Sequence, residues 1–226
     1  MWVPIALSRD IPKGTTRAVL LEAEELVVWR GEGGSVQVWE DRCPHRGMRL
    51  SFGFVRGDAL NCLYHGWEYG AGASCRRIPA HPGLTVPSTI RANAYAATET
   101  GSMVFVDRNG NGGPPPVVLA GLPVASHAVA APAETLFQLV PATPHPDAQL
   151  VEVTLDGVRL HLGWHVPGPG RIMLHAVALD PGVESRAVIA LHKLRAAAER
   201  TGSGVSLPLL AGRGQGWGTA PIGAAT

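Results

Sequence analysis

The chain has 226 residues, 46% of them hydrophobic and 16% charged, and Lys plus Arg (19) almost balances Asp plus Glu (18) for a formal net charge of +1. That length and apolar content suffice for one good core or two small ones, and an even charge balance without a basic block argues against nucleic acid as a partner. Three cysteines, Cys43, Cys62 and Cys75, exclude a disulfide framework and fit a reducing compartment. No apolar run approaches the ~18 residues of a membrane span, and the opening Met1-Trp-Val-Pro-Ile-Ala-Leu-Ser8 has no basic segment ahead of its short apolar stretch, so a cytoplasmic location is expected.

In chain order, short β-type runs come first, at residues 17–21, 26–30 and 36–40, with Gly31-Glu-Gly-Gly34 as the turn between the second and third. Another follows at 103–107. The polar, glycine- and proline-rich stretch Arg108-Asn-Gly-Asn-Gly-Gly-Pro-Pro-Pro116 continues neither strand nor helix and reads as a linker. Beyond it come an apolar run at 126–130, a short helix at 132–140, and strands at 150–155 and 158–166 joined by Asp156-Gly157. A strand at 171–179 precedes a helix at 185–200, where Ala187, Leu191, Leu194 and Ala198 recur at 4, 3 and 4 residues and share one face. Thr201-Gly202 ends that helix, and the remainder reads as a flexible tail. The expected organisation is a first domain at 1–107, a linker at 108–122, a small α+β domain serving assembly at 123–202, and a tail at 203–226.

Two motifs carry chemistry. Cys43-Pro-His45 and Cys62-Leu-Tyr-His65 stand sixteen residues apart, 46–61, and each histidine is followed by a glycine, Gly47 and Gly66, which lets the backbone turn tightly. Two thiolates on one iron and two imidazoles on the other make the ligand set of a Rieske [2Fe–2S] cluster, with potentials of roughly −150 to +300 mV. Each pair then supplies one sulfur and one nitrogen, so each loop ties down both irons. Two Cys and two His are also a common zinc set, usually spaced Cys-x₂₋₄-Cys and His-x₃₋₅-His. Pairing Cys with His inside each motif favours the cluster, with zinc as the alternative.

Through Trp39-Glu-Asp-Arg-Cys-Pro-His-Arg-Gly-Met-Arg-Leu50, Gly57-Asp-Ala-Leu-Asn-Cys-Leu-Tyr-His-Gly-Trp67 and Ile78-Pro-Ala-His-Pro82, the N-terminal half resembles the Rieske domain of bacterial Rieske non-haem iron oxygenase α subunits, in particular the demethylase and monooxygenase branch. Respiratory Rieske proteins carry an extra clamp cysteine in each loop, and Met48 and Tyr64 stand at the equivalent places, which implies the low-potential oxygenase type. The resemblance implies a mainly β protein with a β-sandwich cluster domain. It places His45 and His65 at an exposed tip that faces a mononuclear iron in a neighbouring subunit, within assemblies built on trimers.

The second half is expected to be a shortened, truncated helix-grip-like version of the family's catalytic fold, a curved antiparallel sheet holding a long terminal helix. The family's two-His, one-carboxylate iron triad is not found, since His127, His145, His161, His175 and His192 do not fit its spacing. His161 and His165 share one strand with Cα atoms ~13 Å apart at ~3.3 Å per residue, too far for one metal, and are expected to face solvent or an interface. His175 on a neighbouring strand could join one of them. The sequence therefore implies an electron-transfer subunit of a multicomponent oxygenase or demethylase, fed by a reductase or ferredoxin and serving a partner catalytic α subunit in a hetero-oligomer. A free-standing Rieske ferredoxin and a compact oxygenase with an iron site among His127, His145, His161, His165 and His175 are the alternatives. Around the cluster, Trp67 serves packing and shielding, the Tyr64 hydroxyl either reaches a cluster sulfur or points to solvent, Arg46 is solvated or faces an acidic partner, Cys75 is a small packed side chain, and His81 is not a ligand.

Overall fold

The computed structural model describes residues 1–111 and 113–202. The first half contains β1 (Val3–Leu7), β2 (Thr15–Leu21), β3 (Glu24–Arg30), β4 (Val36–Glu40), β5 (Phe54–Arg56), β6 (Ala59–Asn61), β7 (Glu68–Gly70), β8 (Cys75–Arg77), β9 (Ala94–Thr100) and β10 (Met103–Asp107). The second contains β11 (Leu122–Val129), α1 (Ala133–Gln138), β12 (Ala142–Pro144), β13 (Leu150–Leu155), β14 (Val158–Gly168), β15 (Arg171–Ala178) and α2 (Glu184–Gly202). The fold is mainly β with some α, as the sequence implies. Residues 203–226, where a flexible tail is expected, lie outside the described residues. No described helix is long and apolar enough to cross a membrane.

Three antiparallel sheets organise the chain. A six-stranded sheet in the order β1-β10-β9-β4-β3-β2 packs against a four-stranded sheet, β5-β6-β7-β8. Alternation on β3 supplies both faces of the larger sheet. Val27 and Trp29 point into the sandwich with Trp39, Leu60 and Tyr69, while Leu26 and Val28 join Ile5, Val19 and Val106 on the opposite face. Trp29 and Trp39 meet edge to face, their centroids 5.0 Å apart, an arrangement favoured by the ring quadrupoles.

The third sheet, β11-β15-β14-β13-β12, carries α2 on one face. Leu160 and Leu162 of β14 and Leu174 and Ala176 of β15 meet Ala187, Leu191, Leu194 and Ala198 of α2, the four residues whose spacing marks a helical face. Because side chains alternate along a strand, the intervening residues, His161, Gly163 and His165 on β14 and Met173, His175 and Val177 on β15, turn away from the helix.

That other face meets the first half. Trp2, Leu7, Met103 and Phe105 form one buried cluster with Ala148, Leu150 and Val177, and the Trp2 amide and carbonyl bond to Asp147 O (3.1 Å) and the Gln149 amide (2.8 Å). Gly163 sits where a Cβ would come within 2.6 Å of Pro4 Cγ, so a glycine permits this close approach. At the β2–β3 turn, the amides of Glu22 and Ala23 donate to the carbonyls of Val166 (2.6 Å) and Pro167 (3.2 Å). Up to Gly121 the stretch expected as a linker has neither strand nor helix among its described residues, but it is anchored: Val118 is buried, Trp2 Nε1 donates to Pro114 O at 3.1 Å, and Ser102 Oγ donates to Gly121 O at 2.7 Å.

Candidate functional site: two matched cysteine–histidine loops

The first loop leaves β4 and returns at Leu50. Buried Asp41 fixes its ends, its carboxylate accepting from the Ser51 amide (2.6 Å) and hydroxyl (2.5 Å). The second loop caps the β6–β7 hairpin, where Asn61 pairs with Glu68. Inside the loops the backbone repeats itself. The Cys43 amide donates to Met48 O and the Gly47 amide to Cys43 O, both at 2.8 Å. The Cys62 amide donates to Trp67 O and the Gly66 amide to Cys62 O, both at 2.9 Å. Gly47 (φ 72°) and Gly66 (φ 67°) hold the left-handed conformation that closes each turn.

The repeat stacks like with like. Both thiols are buried, each 2% exposed, and burial followed by the nearby Cys43 pushes the Cys62 thiol above its usual pKa. Outside them, His45 is half-buried and His65 exposed, with ring centroids 4.7 Å apart. Trp67 lies flat on the His45 ring at 4.1 Å and Tyr64 stacks on His65 at 3.8 Å. Desolvation, then the charges of His65 and Arg46, hold the His45 imidazolium below its ordinary pKa.

The donor set is therefore split, two thiols inward and two imidazoles outward, as a two-iron cluster needs. A single tetrahedral zinc ion would draw all four around one point. Cys75 is buried in the sandwich core, its Sγ 3.6 Å from Arg77 O. Of the two roles weighed for Tyr64 the structure selects the solvent-exposed one, since its ring is 56% exposed. The tyrosine at a sulfur is Tyr69, whose hydroxyl lies 3.1 Å from Cys43 Sγ. Sequence reasoning missed Tyr69 because it stands outside the motif. Alternation along β7 turns Tyr69 back into the sandwich, but a strand of three residues is too short for that to be legible in the sequence.

Residues 1–89 match the family model described as the Rieske [2Fe-2S] domain. The N-terminal part of this chain is a Rieske domain. Its cofactor is a [2Fe–2S] cluster. Among curated proteins, the chain is 40% identical over 105 residues to oxidoreductase NdmD of Pseudomonas putida, covering 46% of this chain and 18% of that protein. It is 35% identical over 107 residues to the 3-chlorobenzoate-3,4-dioxygenase oxygenase subunit of Comamonas testosteroni, covering 46% of this chain and 25% of that one. The chain thus spans a quarter or less of these relatives' lengths. The similarity in fold reaches further: NdmA of Pseudomonas putida CBB5, solved with caffeine, superposes with a TM-score of 0.69 at 17% identity, covering 100% of this chain and 85% of that one.

The remaining histidines occupy separate places. His161 is buried 3.8 Å from Glu152 on β13, so of the two surroundings expected for it and His165, solvent is excluded; His165 is buried too. His145 Nε2 lies 3.3 Å from Val117 O, and His127 of β11 faces His192 of α2 with centroids 4.8 Å apart. His165 and His175 do come together, Nδ1 to Nε2 at 3.1 Å. Among the described residues, no three or more His, Cys, Asp or Glu side chains are grouped to hold a single metal ion.

Proposed function

We propose that this chain is the Rieske electron-transfer component of a multicomponent non-haem iron oxygenase or demethylase, accepting electrons from a reductase or ferredoxin and delivering them to the mononuclear Fe(II) of a partner catalytic α subunit. Cys43 and Cys62 hold the inner iron, and His45 and His65 the outer one. When bound, the cluster supplies a one-electron couple and no bond chemistry. The chain's own residues do the rest. Buried Cys43, Cys62 and Tyr69 keep water from the sulfur side, while Trp67 and Tyr64 orient the two imidazoles.

The observation that carries this reading is the polarity of the site. The imidazole side opens onto Leu63 and Tyr64, exposed by 59% and 56%, and paired exposed apolar side chains beside a redox group suit the core of a docking face. The second half shares a buried cluster with the first, which favours an assembly component over a free-standing carrier. We place it in a trimer-based hetero-oligomer in the cytoplasm, a setting compatible with three unpaired cysteines.

The test is iron and acid-labile sulfide analysis of anaerobically purified chain, with an EPR spectrum after dithionite reduction, followed by co-purification with a triad-bearing α subunit. Two irons, two sulfides, a Rieske signal and a stable complex are expected. A third iron retained after mild chelation, or substrate turnover by this chain with only a reductase, would overturn the assignment.

A further inference from the structure

Between the six-stranded and five-stranded sheets lies a cavity of about 230 Å³, walled mainly by apolar side chains such as Ile5, Val19 and Met173, with His165 and His175 also lining it. Both histidines are nearly inaccessible, 3% and 2% exposed. A cavity of about 150 Å³ lined by aliphatic and aromatic side chains admits benzene, so this one has room for a six-membered ring with small substituents.

The polar groups form a single file across the joint. His165 Nδ1 lies 3.3 Å from the Pro4 carbonyl and 3.1 Å from His175 Nε2. His175 Nδ1 lies 2.9 Å from Ser126 Oγ, and that hydroxyl is 3.3 Å from Asp10 Oδ2. A carbonyl only accepts, so the hydrogen of His165 belongs on Nδ1. His175 Nε2 then shares that one hydrogen with the Pro4 carbonyl as a second acceptor, its own hydrogen sits on Nδ1 and donates to Ser126, and the Ser126 hydrogen is left for the Asp10 carboxylate. Desolvation keeps both rings neutral, His165 at about 4 and His175 at about 3.

Every donor in the file is used, and His165 Nε2 is left with a lone pair that no described residue takes up. At the cavity's edge the Asp10 charge is met by Arg9 (3.9 Å) and Arg17 (3.8 Å), so no unbalanced carboxylate calls for a cation. The two imidazoles have no third side chain to complete a metal site among the described residues. We propose that this cavity binds a small, uncharged, ring-sized molecule through an O–H or N–H group donated to His165 Nε2. Its walls come from both halves of the chain, so an occupant stabilises the joint by mass action.

The test uses the full, cluster-loaded chain and ¹⁹F NMR titration with 4-fluorophenol, 4-fluorotoluene, which replaces the hydroxyl with a methyl of similar size, and 4-fluorobenzoate. Saturable binding of 4-fluorophenol is expected, about tenfold tighter than 4-fluorotoluene, the value of one hydrogen bond. Ser126→Ala removes the acceptor that fixes the His175 tautomer and should shrink that preference while leaving 4-fluorotoluene binding unchanged. Met173→Trp, which fills the cavity, should abolish binding of both. No saturable binding, equal affinity for the phenol and the toluene, tighter binding of the benzoate, or indifference of the phenol preference to Ser126→Ala would each overturn the proposal. The wild-type comparison and Ser126→Ala suffice where the bulkier variant fails to fold.

Discussion

His45 and His65 face each other with ring centroids 4.7 Å apart, and His165 and His175 with theirs 5.2 Å apart. The first pair stands at an open tip above two buried thiols. The second is buried between two sheets beside a serine and an aspartate. Ring separation does not distinguish them; what lies beneath and around them does. A pair backed by thiolate donors and open to solvent can exchange charge with a partner. A pair walled by aliphatic side chains must stay neutral, because a buried imidazolium without a counter-charge is costly. The same residue type serves opposite electrostatic purposes at the two ends of one chain.

The largest expected effect breaks the exposed end alone. Cys62→Ser replaces a soft thiolate with a hydroxyl that ligates iron poorly, and should reduce cluster iron, sulfide and the Rieske EPR signal to background. The far-UV circular dichroism of the second half should remain, since α2 and its sheet have their own core. A full cluster complement in this variant would remove Cys62 from the ligand set.

Acid should break the buried pair. An unfolded histidine titrates near 6.5, whereas His165 and His175 are held at about 4 and about 3 by burial first, with the charges of His165 and Arg17 adding to the effect on His175. Between these values the unfolded chain binds protons that the folded chain refuses. Their contribution is therefore fully present above about pH 6.5 and is lost as pH falls towards 4, by roughly 3 kcal/mol for His165 on its own. Asp10, reached through Ser126, and Arg17 are the charged groups facing the pair. Thermal unfolding measured from pH 7 to 4 should show the fall, and His175→Gln should flatten it; an unchanged slope would mean that these rings do not titrate on unfolding.

Gly163→Ala should pry at the joint without touching the tip. A Cβ there would stand 2.6 Å from Pro4 Cγ and 3.0 Å from Met103 Sδ, an overpacking that costs about 1–3 kcal/mol. The whole unfolding transition should shift to lower temperature with the EPR spectrum intact. Splitting into two transitions would show that the joint couples the halves less tightly than its shared cluster implies.

These two sites were not equally legible in the sequence. The tip is local: each Cys–His pair lies within one loop, so spacing alone announces it. So does the α2 face, where Ala187 to Ala198 recur with the helical period, and so does the β13–β14 turn at Asp156-Gly157. The buried pair is non-local. His165 and His175 meet only because β14 and β15 pair in a register that sets Gly163 opposite His175, and their file continues to Asp10, more than a hundred residues earlier. Nor does the sequence show that the face of strands β11, β15 and β14 turned away from α2 packs on the first half, which is why His161 and His165 could have been solvent-facing. Strands β5 to β8, three residues each, are too short for alternation to register.

The smallest effect sharpens the comparison from the sulfur side. While the Cys43 thiol keeps its proton, either it or the Tyr69 hydroxyl can donate across their 3.1 Å contact; once Cys43 is a ligating thiolate, only the phenol can. Burial first, and then this contact with Cys43, hold the phenol far above its usual pKa, so it remains a donor throughout the accessible pH range. A donor at a ligand sulfur stabilises added negative charge and therefore favours the reduced state. Tyr69→Phe removes the oxygen and little else from the sandwich core. The midpoint potential should fall by about 40 mV, since a hydrogen bond worth roughly 1 kcal/mol more in the reduced state corresponds to about 43 mV for a one-electron couple, at about 59 mV per 1.4 kcal/mol. Tyr64→Phe supplies the control: its ring is stacked on His65 but exposed, so removing that hydroxyl should leave the potential within a few millivolts of the parent. If the two variants shifted the potential equally, the inward sulfur contact would not be what separates Tyr69 from its solvent-facing neighbour.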